Sequence, residues 1–479
     1  MAAPNIVWIF PDSWRHDAFG FRGNAVIQTP NLDRLAERGA VFTRAYCESP
    51  VCQPSRASLI TGTYPSQHGL HDNEQNPQWG GVRFPPAEGP TIFKEFQAAG
   101  YHTTLFGKAH FAQSSRGRGL TEYGLDEAYE ETDKYALWRY DTPYIRYLKE
   151  LGLFEEWSAY VRTLMPWHVV DGRVQPNPNH VPGTARAAAD PVLPLEHQLD
   201  VFLGRTAAEW VESYDRDQPF FLWFAPVGPH SPWDAPLEMS GRYAPEDIPL
   251  GPQGFDGFPD NRWGEYLRWN FRHVRSDELT DETIRLIGRH YYGLCTIVDQ
   301  AIGRVVEALE NAGRERDTWI FFSSDHGELL GDYGKTSKRV FHESSVLVPQ
   351  MIVPPTGVEP RLTVNAMTQG FDLVASMFDA AGIPWTGGDI QALSLLPVLE
   401  GETVGRDVVY SEIAGFLMVK TTAHKLVVHE ESREIGAYYE LEQDPEERVN
   451  LAAGDDPSLV DPGILDLAHR FLDTHRMTP

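Results

Sequence analysis

Cysteine is scarce in this chain: its 479 residues include only three, at Cys47, Cys52 and Cys295. Three cysteines cannot all pair with one another, and so few cannot form the disulfide scaffold of a small secreted domain. A reducing compartment is therefore the simpler expectation.

Basic residues are also in short supply, with 41 Lys and Arg against 68 Asp and Glu and a net charge of -27. Such an acidic body disfavours binding to nucleic acid or to an anionic membrane. The sequence has no apolar run of about eighteen residues, and its first residues lack the basic leader of a signal peptide. We expect a cytoplasmic protein without nucleic-acid or membrane partners, in which an anionic substrate requires a locally positive pocket.

The chain is longer than a single hydrophobic core usually becomes, which favours two domains. Continuous apolar runs at 5–10, 219–225 and 318–324 are typical of strands buried on both faces, and helical patterns lie between them. From about residue 406 the pattern changes to short alternating strands. The sequence predicts an α/β fold. Residues 1–395 would form a large, mixed but mostly parallel sheet flanked by helices, and residues 396–479 a smaller antiparallel subdomain.

The segment from Glu130 to Pro194 has weak periodicity and is rich in aromatic residues, proline and arginine. We interpret it as an irregular lid or substrate loop, because long irregular segments in compact proteins often have that role. Its aromatic side chains either stack on a sugar ring or pack the loop onto the body, and both alternatives stay open. The residues concerned are Trp138, Tyr144, Trp157 and Trp167.

Polar residues follow the apolar runs at the points where the predicted strands end. Asp12 follows the first run, His230 the second, and Asp325 with His326 the third. Because the carboxyl ends of parallel strands meet at one edge of a sheet, these side chains are expected to lie together.

The run Cys52-Gln53-Pro54-Ser55-Arg56, followed by Ala-Ser-Leu-Ile-Thr-Gly, is the most specific motif of the sequence. It resembles the signature of the sulfatase family. In that family the cysteine is oxidised after translation to formylglycine, whose hydrated aldehyde attacks the sulfur or phosphorus of a bound ester. The covalent intermediate then collapses to release sulfate and regenerate the aldehyde.

Further motifs extend the resemblance over nearly the whole chain and imply the alkaline-phosphatase-like fold of that superfamily. They lie at 10–12, 107–110, 228–230, 324–328, 338 and 438–451.

The resemblance implies a role for each matching residue. A divalent cation would be bound by Asp12, Asp325, His326 and the modified Cys52. Arg56 would orient the formylglycine diol, while Lys108 and Lys338 would bind sulfate oxygens. His230, with Lys338, would bind substrate and protonate the leaving oxygen, and His110 would accept the proton from the second hydroxyl. Asn73 occupies a place where related hydrolases put a substrate-facing amide, although a turn-forming role fits equally well.

The sequence departs from the common sulfatase pattern at Ser13, because many members have a second carboxylate beside the residue equivalent to Asp12. Calcium is the first expectation for the cation, but the imidazole of His326 shifts preference toward manganese or another transition metal. Magnesium is a further alternative. The same reduced ligand set is a feature of the related phosphonate monoester hydrolases and phosphodiesterases. Those enzymes tend to have hydroxyl residues at the positions of Lys108 and His110.

We therefore expect a metal-dependent sulfuric ester hydrolase that acts on a small-molecule or carbohydrate sulfate ester. The alternative is a phosphonate monoester or phosphodiester hydrolase with sulfatase activity as a side reaction. A formylglycine-generating enzyme would be a partner during maturation, and a homo-oligomer is compatible with the sequence. A pure binding protein would need neither the nucleophile at Cys52 nor the acid at His230.

Overall fold

The computed structural model describes residues 3–73, 87–111, 119–164, 167–170, 173–176, 191–254, 258–271, 279–357, 360–385, 392–452 and 457–475. Its strands are β1 (Asn5–Ile9), β2 (Ala40–Tyr46), β3 (His102–Lys108), β4 (Glu127–Glu131), β5 (Trp167–Val170), β6 (Arg173–Pro176), β7 (Phe220–Ala225), β8 (Thr318–Ser323), β9 (Leu347–Val353), β10 (Leu362–Gln369), β11 (Val409–Ile413), β12 (Phe416–Lys420), β13 (His424–His429) and β14 (Ile435–Glu440). Its α-helices are α1 (Pro30–Ala36), α2 (Cys52–Thr61), α3 (Pro65–His68), α4 (Ile92–Ala98), α5 (Lys134–Leu137), α6 (Pro143–Glu150), α7 (Phe154–Leu164), α8 (Leu199–Ser213), α9 (Leu237–Ser240), α10 (Arg262–Phe271), α11 (Asp281–Asn311), α12 (Glu343–Val346), α13 (Gly370–Ala381) and α14 (Pro462–Thr474).

The large sheet has eight strands in the order β10-β2-β9-β8-β1-β7-β3-β4. Only β9 pairs antiparallel with its neighbours, β2 and β8, and every other pair is parallel. The predicted mixed, mostly parallel sheet is confirmed. The three apolar runs of the sequence form its central strands β1, β7 and β8.

Helices cover both faces of the sheet, which is why the central strands are apolar throughout. In β1, Val7 and Ile9 point into the core formed with α8 and α11, whereas Ile6 and Trp8 point into the opposite core formed with α4 and α13. The long helix α11 packs its apolar stripe against α8 on the first of these faces.

The second sheet is antiparallel and has the order β11-β12-β13-β14. Its strands also have two buried faces. Leu417 and Val419 join the core that contains α13, while Phe416 and Met418 join a third core with Tyr46. The predicted antiparallel sheet is confirmed, and the division of the chain at residue 395 stays a prediction.

The segment from Glu130 to Pro194 differs from the prediction of an irregular loop. Within its described residues it contains α5, α6 and α7, together with the hairpin of β5 and β6. The helices form because short apolar stripes can pack on the body. Tyr144 of α6 and Trp157 of α7 are buried and contact each other edge to face. These two rings pack the segment onto the core, while Trp138 is partly buried beside it and the side chain of Trp167 lies outside the described residues.

No helix in these described ranges combines the length and apolarity needed to cross a membrane.

Candidate active site

Asp12 lies just beyond the carboxyl end of β1 and is fully buried. The backbone turns sharply there because Ser13 adopts a left-handed conformation, with φ of 64°. Two contacts hold the turn: the Tyr291 hydroxyl of α11 donates to the Ser13 carbonyl at 2.8 Å, and the Ser13 amide donates to Asp325 Oδ1 at 3.0 Å. The loops after β1 and β8 are thereby joined at one sheet edge, as the strand pattern predicts.

Cys52 is the first residue of α2 and is only 1% exposed. The Asn73 side-chain oxygen accepts a hydrogen bond from the Gln53 amide at 3.0 Å, and Ser55 Oγ donates to the Asp325 carbonyl at 2.6 Å. Asn73 therefore contacts the helix that carries the predicted nucleophile, and its predicted substrate contact stays a prediction. A helix N-terminus also favours negative charge on a side chain placed there.

The four predicted metal ligands are gathered in one buried group. Ligand atoms from Asp12, Cys52, Asp325 and His326 all lie within 4.8 Å of one another. Cys52 Sγ, which stands where a hydroxyl oxygen of the hydrated aldehyde would be, lies 3.1 Å from His326 Nε2. His326 Nδ1 lies 2.8 Å from the Gly327 carbonyl and donates to it, so in the neutral ring Nε2 is the nitrogen that carries the lone pair. These donors fit a divalent cation.

Arg56 is fully buried and connects the two carboxylates of this group. Its Nε lies 2.8 Å from Asp325 Oδ2, and its Nη2 lies 3.3 Å from Asp12 Oδ2. Its Nη1 donates to the Lys108 carbonyl at 2.6 Å. A buried guanidinium in this position offsets the repulsion between the carboxylates and fixes their orientation.

Two lysine ammonium groups reach the same group of ligands. Lys108, the last residue of β3, places Nζ 2.6 Å from Asp12 Oδ2. Lys338 places Nζ 3.2 Å from Ser13 Oγ and 3.9 Å from Asp12 Oδ1. Burial lowers the pKa of Lys108, but the Asp12 carboxylate and a second carboxylate outweigh that effect and raise it, so the ammonium stays charged.

His110 and His230 lie in the loops that follow β3 and β7. Asp200 of α8 holds the loop of His230, because its carboxylate accepts backbone hydrogen bonds from Val227 at 2.8 Å and from Gly228 at 3.0 Å. His230 Nδ1 lies 2.6 Å from the Ser231 carbonyl and therefore donates to it.

Asp133, a carboxylate that is not among the predicted site residues, lies beside Lys108, His110 and His230. It accepts a hydrogen bond from Lys108 Nζ, its Oδ1 is 3.9 Å from His230 Nδ1, and its Oδ2 is 4.0 Å from His110 Nε2. Burial raises its pKa, but Lys108 and the two histidines outweigh that effect and hold the pKa at about 2. A sequence prediction of β4 would have identified Asp133, because it lies two residues after the end of that strand, which pairs with β3.

The concentrated positive charge also acts on Asp12 and Cys52. Burial raises the pKa of Asp12, but Lys108, His230 and Lys338 together hold it well below its usual value. Burial and Asp12 raise the pKa of the Cys52 thiol, but Lys108 and Lys338 outweigh them and lower it well below its usual value. The site therefore stabilises negative charge at position 52 and on any anion bound beside it.

A family model described as Sulfatase matches residues 4–383, and a model described as N-sulphoglucosamine sulphohydrolase, C-terminal, matches residues 331–461. The chain belongs to the sulfatase family. This sulfatase is a sulfuric ester hydrolase, and its large mixed sheet flanked by helices is the fold of its structural relatives.

Among its relatives, this sulfatase is 27% identical to an arylsulfatase of Clostridium perfringens over 94% of the chain and 90% of that protein. It is 25% identical to an N-acetylglucosamine-6-O-sulfatase of Bacteroides thetaiotaomicron, over 83% of the chain and 71% of that protein. Its fold is similar to the solved structure of a phosphonate monoester hydrolase from Silicibacter pomeroyi, with a TM-score of 0.76 and 25% identity over 98% of the chain and 94% of that structure.

Proposed function

We propose that this sulfatase uses formylglycine derived from Cys52 to release sulfate from a small-molecule or carbohydrate sulfate ester. The observation that carries the proposal is the buried group of four ligand atoms around Cys52, with the ammonium groups of Lys108 and Lys338 beside it. A thiol that only packs in a core has no need of these charges, since free cysteines usually behave as small hydrophobes.

Asp12, Asp325, His326 and position 52 would hold a divalent cation, with calcium as the first candidate and manganese and magnesium as alternatives. When bound, such a cation stabilises negative charge on the nucleophile and on the oxygens of the ester. Ser13 supplies no second carboxylate, and its hydroxyl donates to Asp12 Oδ1 at 2.8 Å, which fixes the orientation of that carboxylate.

The remaining residues would bind the tetrahedral group and move protons. Lys108 and Lys338 supply positive charge where the ester oxygens lie, and Arg56 keeps the carboxylates in place. His230 would protonate the leaving oxygen through Nε2, since its Nδ1 is engaged with a backbone carbonyl. His110 would accept the proton from the second hydroxyl at position 52 when sulfate departs.

Maturation would depend on a formylglycine-generating enzyme, which is the partner that the proposal requires. The burial of Cys52 at the start of α2 supports oxidation before this helix packs. A cytoplasmic location and a homo-oligomer stay predictions.

The mass of one tryptic peptide tests the modification. Cleavage after Arg44 and Arg56 releases a peptide that contains both Cys47 and Cys52. We expect alkylation at Cys47 but an aldehyde at position 52, so Cys47 is an internal control. We also expect Cys52→Ala to abolish turnover with the fold retained, while Cys295→Ala, a second buried cysteine, keeps activity. An intact thiol at position 52 in fully active protein would contradict the proposal.

The leaving group is tested by a panel of sulfated sugars against simple alkyl and aryl sulfates. The names of the relatives support both classes, since one is an arylsulfatase and another an N-acetylglucosamine-6-O-sulfatase. A sulfated sugar turned over with a kcat/KM well above that of every simple ester would assign the carbohydrate class, and the reverse order would assign the small-molecule class.

A second candidate function is hydrolysis of phosphonate monoesters or phosphodiesters, with sulfatase activity as a side reaction. The similarity to the Silicibacter pomeroyi enzyme and the single carboxylate before Ser13 favour it. Lys108 and His110 favour sulfate, because the phosphonate monoester hydrolases and phosphodiesterases tend to have uncharged hydroxyl residues at these two positions. Matched aryl sulfate, aryl phosphonate and phosphodiester substrates separate the two, and a higher kcat/KM for the phosphorus esters would reverse the ranking.

A further inference from the structure

Asp133 places a carboxylate beside the side chains that would bind the ester. It contacts Lys108 directly and lies within 4.0 Å of both His110 and His230. These three residues are among those that the proposed function assigns to the oxygens and protons of the bound ester. Resting on that function, we propose that Asp133 is a specificity-determining residue that favours singly charged esters, such as sulfates, over doubly charged phosphate monoesters.

The charge of the subsite around Lys108 determines its affinity for anions. The Lys108 ammonium is shared between Asp12 and Asp133, so two of its three protons are directed at carboxylates of the protein. Asp133 thus neutralises one unit of the positive charge that an incoming anion would meet. A carboxylate in this position lowers the affinity for any anion, and it does so more strongly for a dianion than for a monoanion.

Asp133 is held in place by the contacts of its neighbours in the chain on both sides. Glu131, two residues before it, lies in β4 opposite Lys108 of β3. Lys134, the residue after it, forms a buried ion pair with Asp234 at 2.5 Å. The carboxylate is therefore a fixed part of the subsite rather than the end of a freely moving loop.

The experiment compares three esters that share one aryl leaving group: a sulfate, a phenylphosphonate monoester and a phosphate monoester. At pH 8 the first two carry one charge on the tetrahedral group and the third carries two. The variants are Asp133→Asn, which removes the charge and keeps the shape, and Asp133→Glu, which keeps the charge. Asp141→Asn is the matched control, because it removes an exposed carboxylate that pairs with the surface residues Arg146 and Lys149.

In Asp133→Asn we expect kcat/KM for the phosphate monoester to rise by roughly tenfold or more relative to each singly charged ester. The two singly charged esters should change together, whether the central atom is sulfur or phosphorus. Asp133→Glu and Asp141→Asn should keep the wild-type ratios. If Asp133→Asn does not fold, Asp133→Ser removes the same charge and keeps an oxygen at the start of α5.

Unchanged ratios in the folded neutral variants would overturn the proposal, and so would a sulfate-to-phosphonate ratio that shifts as much as the phosphate ratio. Failure of the proposed function is separable. A wild-type enzyme without sulfate hydrolysis would refute that function, while the ratio of phosphate to phosphonate turnover would still test the charge selection by Asp133.

Discussion

At the scale of single residues, the site is a balance of buried charges in which each carboxylate has a cationic neighbour. Arg56 contacts Asp12 and Asp325, and Lys108 contacts Asp12 and Asp133. Removing one member of such a set leaves its partner charged and buried, which is costly. Lys338 is the exception among the cations, because its nearest oxygens are 3.2 and 3.9 Å away. Its charge is the one most available to a bound ester.

Lys338→Ala should therefore damage catalysis more than metal binding. We expect kcat/KM for an aryl sulfate to fall roughly 10²–10³-fold, the loss typical of removing one group that stabilises charge in the transition state. Metal content, measured on the same preparation by elemental analysis, should stay near that of the wild type. Lys338→Met keeps the apolar stem of the side chain and should lose as much activity. Metal loss that parallels the activity loss would contradict the assigned role.

The site was largely predictable at this scale because its residues lie in motifs with fixed spacing. The four residues predicted as metal ligands lie close together with Arg56 and the two lysines, and their roles stay predictions. Asp133 was not predictable in the same way. The sequence of its segment predicts no strand end nearby, and a lone carboxylate in a loop is usually a solvated surface charge.

At the scale of secondary-structure elements, the position of Lys108 depends on the close approach of β3 to β7. Gly107 has a φ of 115°, and a side-chain carbon there would overlap the carbonyl oxygen of Ala225 in β7. Only glycine meets both requirements at this position. The glycine before Lys108 in the motif is therefore needed for the sheet as well as for the site.

Gly107→Ala should destabilise the protein by roughly 2–4 kcal/mol, because left-handed strain and overlap with β7 add together. Chemical denaturation measures the change in free energy of unfolding. The matched control is Gly100→Ala, two residues before β3, where φ is 91° but no atom lies near the added carbon. The control should lose about 1 kcal/mol from strain alone. Equal losses of unfolding free energy in the two variants would show that the close approach of β3 to β7 does not contribute to the effect of Gly107→Ala.

Helices and strands could be predicted where their buried residues form a simple apolar pattern in the sequence. The central strands β1, β7 and β8 are apolar on both faces, and α11 has a continuous apolar stripe. The helices α6 and α7 were missed because they span only 8 and 11 residues, and their apolar stripes rest on aromatic residues such as Tyr144 and Trp157. In a segment rich in proline and arginine, those aromatics fit a binding loop equally well.

At the scale of the whole molecule, the antiparallel sheet is bound to the catalytic sheet by both apolar and charged contacts. Its strand β12 contributes to two cores, one with α13 and one with Tyr46 and Phe341. Lys425 of β13 is buried and donates at 2.7 Å to the Phe341 carbonyl, three residues after Lys338, and at 2.7 Å to Glu343. The segment that carries Lys338 therefore rests on this sheet.

A chain that ends at residue 395 should accordingly fail to fold, although the sequence pattern divides the protein there. Truncation would remove at least eight fully buried apolar side chains, each worth about 1.5–3 kcal/mol, from cores shared with α13 and β2. That loss is as large as, or larger than, the net stability of about 5–15 kcal/mol that most proteins have. We expect residues 1–395 alone to show neither a cooperative thermal transition by circular dichroism nor sulfatase activity. A soluble fragment with a sharp transition would show instead that the catalytic sheet is an independent domain, and that the antiparallel sheet serves only to position Lys338.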